Sequence, residues 1–75
     1  MATTKAMIEA VAAELRALGR EATTDATGEW LRVPSAPNLR TPEVRGDRYV
    51  WDGYSAKSPK KMAARLDAFL KEIGR

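Results

Sequence analysis

The fold of this chain is decided by its last stretch, Ser55-Ala-Lys-Ser-Pro-Lys-Lys-Met-Ala-Ala-Arg-Leu-Asp-Ala-Phe-Leu-Lys-Glu-Ile-Gly-Arg75. Ser58 is a favourable N-cap, and Pro59 suits the first helical position, where a missing N–H leaves no bond unmade. Gly74 is placed to end the helix. One broad apolar face is formed, at helical spacing, by Met62, Leu66, Phe69, Leu70 and Ile73. The stretch is therefore predicted to be an amphipathic helix.

Three lysines crowd the start of this helix: Lys57, Lys60 and Lys61. The helix dipole places partial positive charge there, so it favours anions and disfavours cations. The backbone N–H groups of the first turn and these lysines can together hold phosphate oxygens, and Arg65, one turn beyond Lys61, extends the same stripe. The alternative is an ordinary wet face, from which long lysine side chains extend into water at little cost.

Length and composition restrict the chain to one small domain. Its 75 residues are expected to form a single domain over residues 1–75. Cysteine and histidine are absent, which excludes disulfides and the usual zinc and haem ligands and removes the commonest general base. We therefore expect neither a metal nor a cofactor.

Charge is distributed unevenly along the chain. Thirteen basic and ten acidic side chains give a net charge of +3. Residues 1–37 carry four basic and five acidic side chains, a net charge of −1, whereas residues 38–75 carry nine and five, a net charge of +4. This asymmetry indicates an anionic partner for the C-terminal half, and the alternative is a charged surface that only maintains solubility.

The sequence has no feature of a membrane or secreted protein. Its longest apolar run is far short of the ~20 residues that span a bilayer. Glu9 and Glu14 interrupt what would be the apolar part of a signal peptide. We expect a cytoplasmic location and no membrane partner, and the absence of cysteine is consistent with this.

A second amphipathic helix is predicted from about Lys5 to Leu18. Thr3 or Thr4 is the expected N-cap, and Gly19 is placed to end the helix in a left-handed conformation. Its apolar stripe comprises Ile8, Val11, Leu15 and Leu18, widened by Met7 and Ala12.

The chain between the two helices is predicted to begin with two short strands. Residues 21–25 and 29–33 form the strands, and a turn rich in small and polar residues joins them. In the second strand Leu31 and Val33 share one face, while Trp30 and Arg32 share the other. The face that carries Arg32 is expected to be wet, which predicts that Trp30 is an exposed aromatic. Three prolines in residues 34–42 predict a loop.

A hairpin is predicted over residues 43–52. Its two-residue turn begins with Gly46, which suits a type II′ turn. Tyr49 and Trp51 share the face opposite the charged residues of this strand, so they are predicted to point into the core. Residues 53–54 are interpreted as a loop into the last helix.

These elements predict an α+β fold. Two helices should pack on one face of a small antiparallel sheet as a two-layer sandwich, in the order α-β-β-β(β)-α. The expected core consists of Ile8, Val11, Leu15, Leu18, Leu31, Val33, Val44, Tyr49, Trp51, Met62, Leu66, Phe69, Leu70 and Ile73.

Catalytic patterns are absent from the sequence. It has no glycine-rich phosphate loop, no nucleophile elbow and no Cys/His pair, and so short a chain has little room for a deep cleft. We therefore expect a binding module and not an enzyme. Nucleic acid would bind at Lys57, Lys60, Lys61 and Arg65.

The alternative hypothesis is a small regulatory or adaptor protein. Trp30 and Arg32, with the proline-rich loop, would form the surface that contacts a protein partner. The chain would act as a monomer, or as a homodimer that covers Trp30.

The helix–strands–helix order and the start of the last helix resemble the double-stranded RNA-binding domain. The likeness rests on Ser58-Pro-Lys-Lys61 and the residues after it: Ala63, Ala64, Leu66 and Ala68. In that family a Ser-Lys-Lys-type helix start meets phosphates across the major groove. The resemblance implies that Lys60 and Lys61 contact duplex RNA. This chain departs from the family at residues 25–28, which lack its Gly-Pro-His-type element.

The chain also resembles short uncharacterised proteins of high-GC actinobacteria and their phages. The likeness rests on the first helix, rich in Ala, Arg and Glu, on Tyr49-Val-Trp-Asp-Gly53, and on the closing amphipathic helix. This resemblance implies no activity.

Overall fold

A computed structural model describes residues 3–74 and contains two helices and five short strands. Helix α1 spans Thr4–Ala17, and helix α2 spans Pro59–Glu72. The strands between them are β1 (Thr23–Thr24), β2 (Leu31–Arg32), β3 (Glu43–Arg45), β4 (Arg48–Trp51) and β5 (Tyr54–Ala56). All strand pairs are antiparallel and form two sheets, β1–β2 and β3–β4–β5. The predicted α+β class is confirmed, although the strands divide into two sheets.

Side-chain caps define where both helices start. The Thr3 hydroxyl accepts a hydrogen bond from the Ala6 N–H at 3.1 Å, and the Ser58 hydroxyl accepts one from the Lys61 N–H at 3.4 Å. Each helix ends where a glycine takes a positive φ, 88° at Gly19 and 76° at Gly74. The capping residues predicted from the sequence are confirmed, with Thr3 as the cap of α1.

The two helices lie side by side and run in roughly the same direction. Near their starts, Met7 of α1 and Pro59 of α2 line one groove. Farther along, Arg20, just beyond α1, forms an ion pair with Asp67 of α2. The chain between them therefore has to return along the helices before α2 begins, and the strands provide that return.

The first sheet is shorter than predicted because side chains replace its backbone pairing. The Asp25 N–H still donates to the Trp30 carbonyl at 3.0 Å, but the Asp25 carboxylate accepts the Trp30 N–H at 3.2 Å, so only one of the two backbone bonds of this pair forms. At the other edge of β2, the Thr41 hydroxyl accepts the Leu31 N–H at 2.9 Å and donates to the Leu31 carbonyl at 3.4 Å. Thr41 thereby satisfies the backbone groups that a third strand would otherwise pair.

The second sheet contains one strand more than the sequence predicted. Gly46 has a φ of 62° and Asp47 has no positive φ, which fits the predicted type II′ turn. The interpretation of residues 53–54 as a loop into the last helix is wrong. Asp52 and Gly53 both have positive φ, 47° and 78°, which is the pattern of a type I′ turn, and they join β4 to β5.

The core lies between the helices and the sheets. Tyr49 and Trp51 point inward and are 2% and 6% exposed, as predicted. The Tyr49 hydroxyl donates to the Met7 carbonyl at 2.8 Å, and the Trp51 indole N–H donates to the Arg40 carbonyl at 3.0 Å. These two hydrogen bonds satisfy the polar atoms of the buried rings and tie the sheet to α1 and to the loop.

Two residues of the predicted core are exposed. Leu18 and Ile73 are 52% and 47% exposed because each is the C-cap residue of its helix, beyond the part that its neighbours cover. Small residues fill part of the core instead, since they allow close packing: Ala12, Ala22, Ala36 and Ala63.

Candidate nucleic-acid interface

The net charge of the chain is concentrated in one segment. Residues 43–65 hold six basic and three acidic side chains, a net charge of +3 that equals the net charge of the whole chain. Residues 1–42 and 66–75 each have a net charge of zero. The excess positive charge therefore belongs to strands β3 to β5 and the first half of α2.

Strand pairing gathers three of these cations into one row. Arg45 of β3 lies directly opposite Arg48 of β4. Tyr49 lies opposite Ala56, so Lys57, which follows β5, comes beside Arg48. Like charges directly opposite one another destabilise a sheet. Exposed carboxylates of Glu43 and Asp47 offset part of this repulsion, and a bound anion would offset more of it.

A shallow depression of about 400 Å³ lies where β5 leads into α2. Arg48, Lys57 and Lys61 are its basic lining residues, and all three are exposed. Tyr54 and Ser58 add an aromatic ring and a hydroxyl to the lining. The Ser58 hydroxyl accepts the Lys61 N–H, so the cap that begins α2 also holds the Lys61 backbone beside this depression.

Asp47 partly neutralises this depression. Its carboxylate oxygens lie 3.4 Å from Lys57 Nζ and 3.7 Å from Arg48 Nε. The charge of Lys57, followed by its hydrogen bond, holds the pKa of the Asp47 carboxyl below its usual value. All three side chains are exposed, and water and salt screen such pairs. A phosphate oxygen can therefore compete with Asp47 for both cations.

The four predicted nucleic-acid-binding residues are not all in one place. Lys57 lies before the first turn of α2, and it lines the depression together with Lys61. Arg65 lies one turn beyond Lys61, with its guanidinium carbon 6.0 Å from the centre of the Tyr54 ring. Lys60 is exposed but is not among the described residues that line the depression.

Sequence reasoning missed Arg48. Its neighbourhood depends on strand β5, which brings Lys57 beside it, and β5 was not predicted. In the sequence, the only indication that Arg48 could belong to a site was its place beside Val50 on the charged face of β4, opposite the inward-facing Tyr49 and Trp51. We call Arg48, Lys57, Lys61 and Arg65 the basic face.

The residues proposed for protein binding lie on a second surface. Trp30 is 61% exposed, and Arg32 beside it is exposed too. The proline-rich loop folds back against them, so that Pro37, Leu39 and Arg40 line one depression of about 520 Å³ together with Trp30 and Arg32. We call these five residues the Trp30 surface. Pro37, Leu39 and Arg40 all belong to the proline-rich loop that the sequence proposed for this surface, although none of them was singled out by itself.

Comparison of the chain with protein-family models, curated proteins and solved structures finds no match. Its resemblance to the double-stranded RNA-binding domain stays a prediction. Across residues 3–74, no helix is long and apolar enough to cross a membrane. Within the same residues, no three acidic side chains come together as a potential metal site.

Proposed function

We propose that this chain is a non-enzymatic binding module that holds the phosphate backbone of a nucleic acid on its basic face. The observation that carries the proposal is the convergence of Arg48, Lys57 and Lys61 on one depression. That depression lies in the segment that holds the whole net charge of the chain. A concentrated patch of Lys and Arg is the electrostatic footprint of nucleic-acid binding.

Each residue of the basic face has a distinct role in this proposal. Arg48 offers a planar fork of N–H donors that matches two phosphate oxygens, whereas Lys57 and Lys61 act as mobile point charges. The partial positive charge of the helix dipole lies at the same place, although Pro59 has no N–H and the Ser58 cap already uses the Lys61 N–H. These contacts reach phosphates and not base edges, so binding is expected to be independent of sequence.

Duplex RNA is the nucleic acid that the resemblance favours. The Ser58-Pro-Lys-Lys61 helix start resembles the element with which the double-stranded RNA-binding domain meets phosphates. Residues 25–28 lack the minor-groove element of that family, so we propose contact with the backbone alone.

The test is a binding assay with a fluorescent RNA duplex of about 20 base pairs, longer than the ~16 base pairs that such a domain spans. Arg48→Glu/Lys61→Glu should weaken binding about tenfold or more, because two phosphate contacts become repulsive. Arg32→Glu/Arg40→Glu is the matched control, since it changes the net charge equally but alters the Trp30 surface. It should retain most of the wild-type affinity.

The two variants also separate a local site from a general charge effect. Equal losses in both variants would indicate that only the net charge matters, and the proposed site would be wrong. Absence of binding by the wild-type chain at low salt would overturn the function itself. Thermal unfolding of each variant checks that the substitutions leave the fold intact, as is expected for exposed side chains.

A further inference from the structure

We propose that the Trp30 surface binds an acidic segment of a partner protein, with an apolar side chain of that segment packed against the indole. This site is separate from the basic face, and it does not depend on the proposed nucleic-acid function. It combines an exposed aromatic ring, apolar walls and two arginines that have no partner within residues 3–74.

The apolar part of the surface has the composition of an interface centre. Trp30 is the most exposed of the large hydrophobic residues in the described chain, at 61%. Pro37 and Leu39 line the same depression, so the ring has apolar neighbours and is not an isolated exposed residue. Tryptophan and arginine are the residues that most often dominate the free energy of protein association. An aliphatic or aromatic side chain would remove both the ring and these walls from water.

The charge of the surface determines the chemistry of the partner. Neither the Arg32 nor the Arg40 side chain makes a hydrogen bond or an ion pair within residues 3–74. The other described arginines do have partners, which are Glu9 for Arg16, Asp67 for Arg20, Glu43 for Arg45, Asp47 for Arg48 and the Tyr54 ring for Arg65. Guanidinium groups match carboxylates in a two-point geometry. Two such groups beside the indole therefore suit an acidic segment.

The backbone beneath this surface is held in place before any partner arrives. The Arg40 carbonyl accepts the indole N–H of the buried Trp51 at 3.0 Å, and the Thr41 hydroxyl bonds both backbone groups of Leu31. A preorganised surface loses less conformational entropy when it binds. Thr41 also occupies the edge of β2, so the partner cannot add a strand there and must bind through its side chains.

A nucleic acid is expected to bind the Trp30 surface more weakly than an acidic protein segment does. Residues 1–42, which include Trp30, Arg32 and Arg40, have a net charge of zero. A polyanion is attracted by excess positive charge over a whole region, and that excess lies in residues 43–65. Two arginines within a neutral region instead suit a short motif with a few carboxylates.

The first experiment selects ligands from a phage library of random linear peptides on the full chain, with counter-selection on Trp30→Ala. We expect enrichment of Asp and Glu around one Leu, Ile, Phe or Trp. No enrichment over the Trp30→Ala chain, or enrichment of peptides without acidic residues, would overturn the proposal. So would a wild-type chain that elutes as a dimer while Trp30→Ala elutes as a monomer, because a second copy would then cover the surface.

The second experiment titrates the best selected peptide into the nitrogen-15-labelled chain and follows both indole N–H signals by NMR. The Trp30 signal should shift more than the Trp51 signal, because the Trp30 ring is exposed on the surface whereas the Trp51 ring is buried beneath it and its N–H is bonded to the Arg40 carbonyl. Arg32→Glu/Arg40→Glu should raise the Kd about tenfold or more, and Arg48→Glu/Lys61→Glu should leave it within about twofold. A shift of the Trp30 signal by single-stranded oligo-dT, and not by the peptide, would contradict the proposal.

Discussion

Asp67 of α2 forms an ion pair that connects this helix to the end of α1. Its side chain is 13% exposed, and it accepts a hydrogen bond from Arg20, beyond the end of α1. Lys71, one turn farther along α2, lies 3.2 Å from its second oxygen. The hydrogen bond from Arg20, with the bond and charge of Lys71, holds the pKa of the Asp67 carboxyl below its usual value of 3.8. The ionised form is therefore the one that the fold stabilises.

This shift predicts a stability contribution that depends on pH. Because the folded pKa of Asp67 is lowered, the contribution is present above pH ~4 and is lost as pH falls through the folded pKa. Asp67→Asn should be less stable than the wild type at pH ~7, and the difference should shrink as the pH falls below ~4, as judged by urea unfolding. Glu72→Gln on the exposed face is the control and should change little. A gap between Asp67→Asn and wild type that persists undiminished at low pH would contradict this account.

At the scale of elements, the helices were predictable and strand β5 was not. Caps and apolar spacing are local signals, and Ser58, Pro59 and Gly74 carry them for α2. Strand alternation likewise predicted that Trp30 is exposed and Trp51 buried. In contrast, Tyr54-Ser-Ala56 is too short to show alternation, and it is a strand only because a turn pairs it with β4. Arg48 was missed at the candidate site for the same reason.

The turn before β5 is predicted to contribute measurably to stability. Gly53 has a φ of 78°, and a Cβ added there would meet no atom within 4 Å, so substitution costs backbone energy and not a clash. Gly53→Ala should lower the free energy of unfolding by about 1–2 kcal/mol, whereas Asp52→Asn should be nearly neutral because Asn tolerates positive φ. Urea unfolding of both variants measures this. If Gly53→Ala is as stable as the wild type, the left-handed turn is not required for β5.

On the scale of the whole molecule, the cations of the two proposed surfaces differ in the net charge of the region around them. Those of residues 43–65 form an excess charge that acts over a wide area, whereas Arg32 and Arg40 lie in a region that is neutral overall. The sequence identified part of each surface, Lys57, Lys61 and Arg65 on one and Trp30 and Arg32 on the other. It could not identify Arg48, because its neighbours come from other elements of the folded chain, and it included Arg40 only as part of the proline-rich loop.

The salt dependence of duplex RNA binding tests the central claim, that the basic face holds a phosphate backbone, most directly. Counterions are released for each phosphate that is neutralised, so log K should fall with log salt concentration with a slope of roughly −3.6 for the four contacts that Arg48, Lys57, Lys61 and Arg65 can make. Arg48→Glu/Lys61→Glu should make the slope shallower by about two, and Arg32→Glu/Arg40→Glu should leave it unchanged. A wild-type slope near zero, or the same slope in the wild type and Arg48→Glu/Lys61→Glu, would contradict the account.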